Sequence, residues 1–355
     1  MSSLRQVGKK LMAVGMSVEA VEAFRRAGDV AGAIDLCVKQ HQWEAALNLA
    51  EGGAVPSGDL QKILAQYAAH LLSQGKQLHA VELYRKANQY TDAAKLLSTL
   101  GEKEGESRLH PLRAKKLFVM AALEVERMRK KMLSNVTAPD ATRTAAQTLD
   151  SLLTQDTATG GDKWLDSAWK GAEAYHFLLL CQRQLYAGYP AEAMKTALRL
   201  REYEQVLPPA EIYALIALTA FYSKYYAQCS KAFVKLQSMT NLPPHKKEAI
   251  DKLALAIFSK IAERGGGPSD PATRPPKCPQ CGTGVKDYDA RCSNRDCNAT
   301  FSACVFSGKS IFDLAEAGNC KTCKRRFLLS EARNKRNCAL CHTPLAYKGS
   351  SMNLD

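Results

Sequence analysis

Polar and apolar positions over the first 130 or so residues keep a helical period interrupted by short turns, and one phrase is written twice. Residues 15–36, GMSVEAVEAFRRAGDVAGAIDL, align without a gap on residues 75–96, GKQLHAVELYRKANQYTDAAKL, at an offset of 60. Gly15/Gly75, Ala20/Ala80, Val21/Val81, Glu22/Glu82, Arg25/Arg85, Ala27/Ala87, Ala33/Ala93 and Leu36/Leu96 are identical, and Phe24/Tyr84 is conservative. A finer period of 13 starts in the first copy and runs on past it, where Ala20, Ala33 and Ala46 fall in step, as do Val21, Ile34 and Leu47. Small residues beside large apolar ones let short helices approach closely. One such hairpin cannot bury its own face, so neighbours must stack. The pattern predicts a mainly α chain, a tetratricopeptide-like helical-repeat solenoid, although the period departs from the usual ~34 residues.

The helical phrase runs over residues 1–133. Residues 134–163, rich in Thr, Ala, Asp and Gly, read as a flexible loop with a short helix near Thr144–Leu153. Helical repeats then continue over 164–263, as Trp164–Tyr186, Pro190–Glu204, Pro209–Tyr222, Tyr226–Gln237 and Pro243–Glu263. Pro190 and Pro209 sit where first-turn prolines belong. The stretch RGGGPSDPATRPPK, residues 264–277, carries three glycines and four prolines and reads as a linker that uncouples the C-terminal region from the helices. Beyond it lie a small cysteine-rich domain over 278–347 and a tail over 348–355.

Cysteine usage changes the picture most. Cys37, Cys181 and Cys229 lie singly in helical patterns, where a small buried thiol is expected. The other nine lie between Cys278 and Cys341, spaced Cys278-x2-Cys281-x10-Cys292-x4-Cys297, then Cys304, then Cys320-x2-Cys323-x14-Cys338-x2-Cys341. The N-terminus has no apolar segment of secretory type, so the pairs read as metal ligands and the chain as cytoplasmic. A C-x2-C turn presents two thiolates with backbone N–H groups aimed at sulfur, and two such turns close a tetrahedral zinc shell. The spacing therefore predicts a C-terminal zinc-binding domain with two structural Zn²⁺. The sequential assignment takes Cys278, Cys281, Cys292 and Cys297 for one ion and Cys320, Cys323, Cys338 and Cys341 for the other. Cys304 is left over, the natural substitute if Cys297 cannot reach; His342 could replace Cys341, but reads better as a neighbour of the site.

Cys304 lies in ACVFSGKSIF, whose GKS ends like a phosphate loop. The first glycine of that motif would fall at Ala303, and no apolar strand precedes it, so no nucleotide site is expected. The scattered histidines give Cys304 no base, and no catalytic residue is read from the chain. The formal charge of +14 suggests nucleic acid at first sight. Residues 278–355 hold twelve basic against seven acidic side chains, and two zinc ions on eight thiolates bring that segment close to neutral. The rest is spread without a long basic block, so no specific nucleic-acid partner is expected. Nor does any apolar run reach the ~18 residues of a membrane span.

The helical motifs LYRKANQYTDAAKLL (Leu83–Leu97) and WKGAEAYHFLLLCQRQLY (Trp169–Tyr186), with CVFSGKSI (Cys304–Ile311) and the terminal CALCHTPL, resemble the C-terminal half of the WD-repeat subunits of the intraflagellar transport A complex. That family begins with two β-propellers. Nothing here reads as WD blades, and the chain opens inside a helical pattern, so it reads as a C-terminal piece. The resemblance implies a non-enzymatic scaffold acting in retrograde ciliary transport and ciliary membrane-protein trafficking. Its implied partners are other subunits of the complex and, through adaptors, membrane-protein cargo, in the cilium or flagellum, at the basal body and in the cytoplasm. The rival reading is a helical array ending in a RING, as in ubiquitin ligases and vesicle-tethering or coat complexes. A RING interleaves its ligands, so Cys278/Cys281 would share an ion with Cys320/Cys323.

Overall fold

The computed structural model describes residues 2–39, 41–50, 57–136, 161–263, 267, 269–271 and 275–345. Among the described residues thirteen helices precede the cysteine-rich region: α1 Ser2–Ala13, α2 Ser17–Arg26, α3 Val30–Lys39, α4 Trp43–Leu49, α5 Ser57–Ser73, α6 Gln77–Lys86, α7 Tyr90–Ser107, α8 Pro111–Val136, α9 Gly161–Tyr186, α10 Pro190–Arg199, α11 Pro209–Tyr222, α12 Tyr226–Gln237 and α13 Pro244–Glu263. A 3₁₀ turn, Leu200–Tyr203, follows α10, so the helix expected to reach Glu204 tightens in its last turn. The expected loop at 134–163 gives up both ends to helix, at Val136 and Gly161; residues 137–160, including the expected short helix, lie outside the described residues, as does the tail.

Two compact units are formed, one from Met1–Thr99 with Leu123–Thr148, the other from Leu100–Ala122 with Leu149–Asp355. In the first unit the written repeat becomes a physical one. Helices α2 and α6 begin 60 residues apart, as do α3 and α7, while α2, α3 and α4 begin at intervals of 13. The in-step alanines Ala20, Ala33, Ala46, Ala80 and Ala93 are fully buried. These are the places where one helix backbone approaches the next, and a longer side chain would hold them apart. Between them, Ile34, Cys37, Ala46, Ala50 and Ile63 form one core cluster, and Leu64, Ala68, Leu71, Ala80, Leu83 and Ala87 form another.

The hairpins share one turn. After α2, Gly28 N–H reaches Arg25 O (3.1 Å) and Asp29 N–H reaches Phe24 O (3.0 Å), the paired bonds of a Schellman closure. The same two bonds recur after α6, α9 and α11, from Asn88 and Gln89, Gly188 and Tyr189, and Lys224 and Tyr225. The first residue of each pair has positive φ, 71° at Gly28 and 58° at Asn88. Glycine adopts this freely and asparagine at small cost. Lys224 adopts it too, at 62°, without either advantage.

In the second unit α9 lies against α10, α10 against α11, and α11 against α12. The thiols of Cys181 and Cys229 each donate across their hairpin to a carbonyl twelve residues on or back, Ala193 O (3.2 Å) and Ala217 O (3.5 Å). Burial pushes these thiols up to about 12 and about 11, so they are inert packing groups. Among the described residues no helix is long and apolar enough to cross a membrane. The cysteine-rich region adds a two-stranded antiparallel ribbon, β1 Ala317–Asn319 with β2 Arg326–Leu328, and a one-turn helix α14, Leu329–Ala332.

Candidate metal centres

Four tight turns in the second unit share one backbone. In each, the residue four places after a cysteine donates its N–H back to that cysteine's carbonyl: Gly282 to Cys278 (2.9 Å), Gly308 to Cys304 (2.8 Å), Lys324 to Cys320 (3.0 Å) and His342 to Cys338 (3.0 Å). The cysteine N–H in turn reaches the carbonyl five places on, at Thr283, Lys309, Arg325 and Thr343, over 2.8–3.0 Å. Gly282, Gly308, Lys324 and His342 all have positive φ, between 60° and 77°. This is the knuckle geometry that turns two side chains at i and i+3 toward one point. A fifth, longer turn carries Cys292 and Cys297, with Cys292 N–H bonded to Ala299 O (2.9 Å).

The sulfurs gather in two groups, Cys278 with Cys281, Cys292 and Cys297, and Cys320 with Cys323, Cys338 and Cys341; within each, all four lie within 4.8 Å of one another. Separations within the groups include 3.9 Å (Cys278–Cys297), 3.5 Å (Cys281–Cys292), 3.5 Å (Cys320–Cys341) and 3.7 Å (Cys323–Cys338). A disulfide would bring two sulfurs to about 2.05 Å. Tetrahedral zinc with bonds of about 2.3 Å needs sulfurs about 3.8 Å apart, which these pairs approach. The donor set, four thiols with no histidine and no open position, fits a structural zinc ion in each group. The groups are sequential in the chain and not interleaved.

Their surroundings differ. All four cysteines of the second group are buried, whereas in the first Cys281 is exposed and Cys292 and Cys297 are partly so. Hydrogen bonding with the Thr283 hydroxyl, 3.3 Å away, holds Cys281 down to about 6. Thr343 stands in the same relation to Cys341, at 3.0 Å. In the second group, hydrogen bonds from Cys323, Cys338 and Cys341 hold Cys320 far below the ordinary thiol range. The same shared bonds push Cys323 and Cys338 up, so the protons of the group come off one after another, and metal binding requires all four thiols to release them.

Cys304 belongs to neither group. It is fully buried, and its sulfur accepts the Leu328 N–H at 3.3 Å. The position that carries the second cysteine in the other three knuckles is Ser307 here.

A linker rich in glycine and proline would leave the cysteine-rich segment free of the helices. The contacts are otherwise. Linker residue Asp270 accepts hydrogen bonds from the Ala227 and Gln228 N–H groups (3.1 and 3.3 Å) and caps α12. Lys195 on α10 pairs with Asp287 at 2.6 Å, and Glu173 on α9 pairs with Arg325. Lys115 on α8 donates to Ala339 O (2.8 Å) beside the last knuckle, and burial lowers it to about 8. Polar side chains placed in helices gave no sign in the sequence that they faced a second module.

Comparisons with known proteins run in the same order along the chain. A family described as "IFT121-like, TPR repeats" matches residues 166–264, and one described as "WD repeat-containing protein 35, TPR repeats" matches residues 58–127. A third, "IFT121, second zinc finger domain", matches residues 302–346 and so takes in the second cysteine group. WD repeat-containing protein 35 of Rattus norvegicus is 37% identical over 344 residues, and that of Mus musculus is equally similar. The Homo sapiens protein is 36% identical over 346 residues. The match covers 96% of this chain and 27% of each relative, so the chain spans about a quarter of their length.

Proposed function

From a chain homologous to WD repeat-containing protein 35 (IFT121) along 96% of its length, we propose a non-enzymatic scaffold of the intraflagellar transport A complex. Its work is done through protein–protein contacts, in retrograde ciliary transport and in bringing membrane proteins into the cilium. One observation carries the reading: the similarity runs through both helical stretches and into the zinc finger. Stacked helical hairpins offer extended surfaces for partners. Closed four-sulfur zinc sites keep no water position, which suits a structural role. Cys278, Cys281, Cys292 and Cys297 hold one ion, and Cys320, Cys323, Cys338 and Cys341 the other.

The RING reading is disfavoured by the sequential grouping of the sulfurs, since a RING would bring Cys278 and Cys281 together with Cys320 and Cys323. The tagged full chain, expressed in ciliated cells, is expected to co-purify other subunits of the transport complex above a tag-only control. Enrichment of ubiquitin-conjugating enzymes instead, with discharge of their loaded ubiquitin, would sink the scaffold reading in favour of a ligase.

A further inference from the structure

The knuckle at residues 303–310 has the backbone of a metal knuckle and only one of its two cysteines. Its polar groups are spent elsewhere. His176 of α9, whose buried ring donates from Nε2, reaches Val305 O at 2.6 Å. Gln184 of α9 donates to Ser307 O at 2.9 Å, and Thr196 of α10 approaches the same carbonyl at 3.4 Å. Gly308, at φ 77°, lies so close that a Cβ there would meet the Thr196 side chain. Arg199, 3% exposed at the end of α10, donates to Phe301 O (2.9 Å) and to Ser310 Oγ (2.8 Å), which passes the chain on to Asp289 O (3.1 Å).

The other edge of the same knuckle is tied to the second cysteine group. Val305 N–H donates to Arg326 O (3.2 Å), and Cys304 sulfur accepts from Leu328. Arg326 and Leu328 belong to β2, which leaves directly from the knuckle of Cys320 and Cys323. The knuckle thus stands between a zinc site and two helices, bonded to both.

We propose that residues 303–310 are a metal-free knuckle that serves as a latch, so that zinc in the second cysteine group sets the stability of α9 and α10. The cysteine-rich module has two three-residue strands and a one-turn helix as its regular structure, too little to hold its shape without metal. When the module loosens, Gln184 and Arg199 lose the acceptors they hold in it, Ser307 O, Phe301 O and Ser310 Oγ, and with them the net stabilisation of those bonds. A ligand that binds the folded module alone therefore stabilises the helices latched to it. Helices α2–α6 of the first unit serve as an internal control.

The test is amide hydrogen exchange on the purified full chain, with zinc content measured in parallel, before and after a zinc chelator. Peptides from α9 and α10 are expected to exchange at least tenfold faster once zinc is removed, while α2–α6 keep their rates. A double variant, Gln184→Leu with Thr196→Val, is expected to raise exchange in α9 and α10 with two zinc ions still bound. Unchanged exchange in α9 and α10 after chelation would overturn the proposal, as would a purified chain without zinc. Unchanged exchange in the double variant would overturn the latch itself.

Discussion

His176 shows how much one residue's surroundings decide. Its neighbours in sequence, Phe177 and Leu178, are apolar, and the ring is buried with them. Desolvation, with the nearby Lys115 charge, lowers it to about 3. In the unfolded chain the same ring takes up its proton near 6.5. Between those values the unfolded state binds more protons, so stability is complete above about 6.5 and falls with pH toward 3, by at most about 1.4 kcal/mol per pH unit. Denaturant titrations of the second unit between pH 7 and 5 should show this slope, and His176→Gln should flatten it. An equally steep slope in the variant would move the cause to the thiolates. Nothing in the sequence marks this histidine: the same residue could as well have been exposed, since periodicity tells which face is apolar but not what that face meets.

Helices and hairpins are the scale at which the sequence speaks most plainly. The offset of 60 and the inner step of 13 reappear as helix starts, because each phrase carries its own turn residues and its own small residues at the crossings. Ala80 is one of those crossings, fully buried in the cluster formed by α5 and α6. Ala80→Leu forces a larger side chain into a filled space and is expected to cost about 1–3 kcal/mol. The exposed Leu78 two residues earlier is the comparison; Leu78→Ala should shift the stability by less than about 0.5 kcal/mol. Equal effects at the two positions in urea unfolding would mean that the alanines are not contact points. The end of α10 was less legible. Its apolar pattern runs on past Arg199, but the last turn tightens, and Arg199 itself turns inward to the module.

For the whole molecule, metal content is the quantity to measure. Elemental analysis should find two zinc ions per chain, two after Cys304→Ser, and one after Cys323→Ser, as expected of four-sulfur sites that exclude Cys304. The two should leave at different rates, the ion at exposed Cys281 first and the one in the buried group later. A third zinc in the unaltered chain, or loss of one with Cys304→Ser, would return Cys304 to the ligands. The GKS that resembles a phosphate loop is, at this scale, the far side of a knuckle. Ser307 stands where the second cysteine would be, Gly308 supplies the positive φ, and Ser310 receives Arg199.

The repeat, the turns, the cysteine pairs and the likeness to a transport-complex family are local properties, written within a few residues of one another. A Schellman turn favours glycine or asparagine, a helix crossing its alanine, and a zinc knuckle its two cysteines, whatever the rest of the chain does. Tertiary structure alone decided what the single-cysteine knuckle would hold in place of a second thiol. Those contacts come from His176, Gln184, Thr196 and Arg199, more than a hundred residues before the partners they meet. Such pairings leave no pattern along the chain, because a hydrogen bond between distant residues depends on where two faces meet and not on the spacing within either.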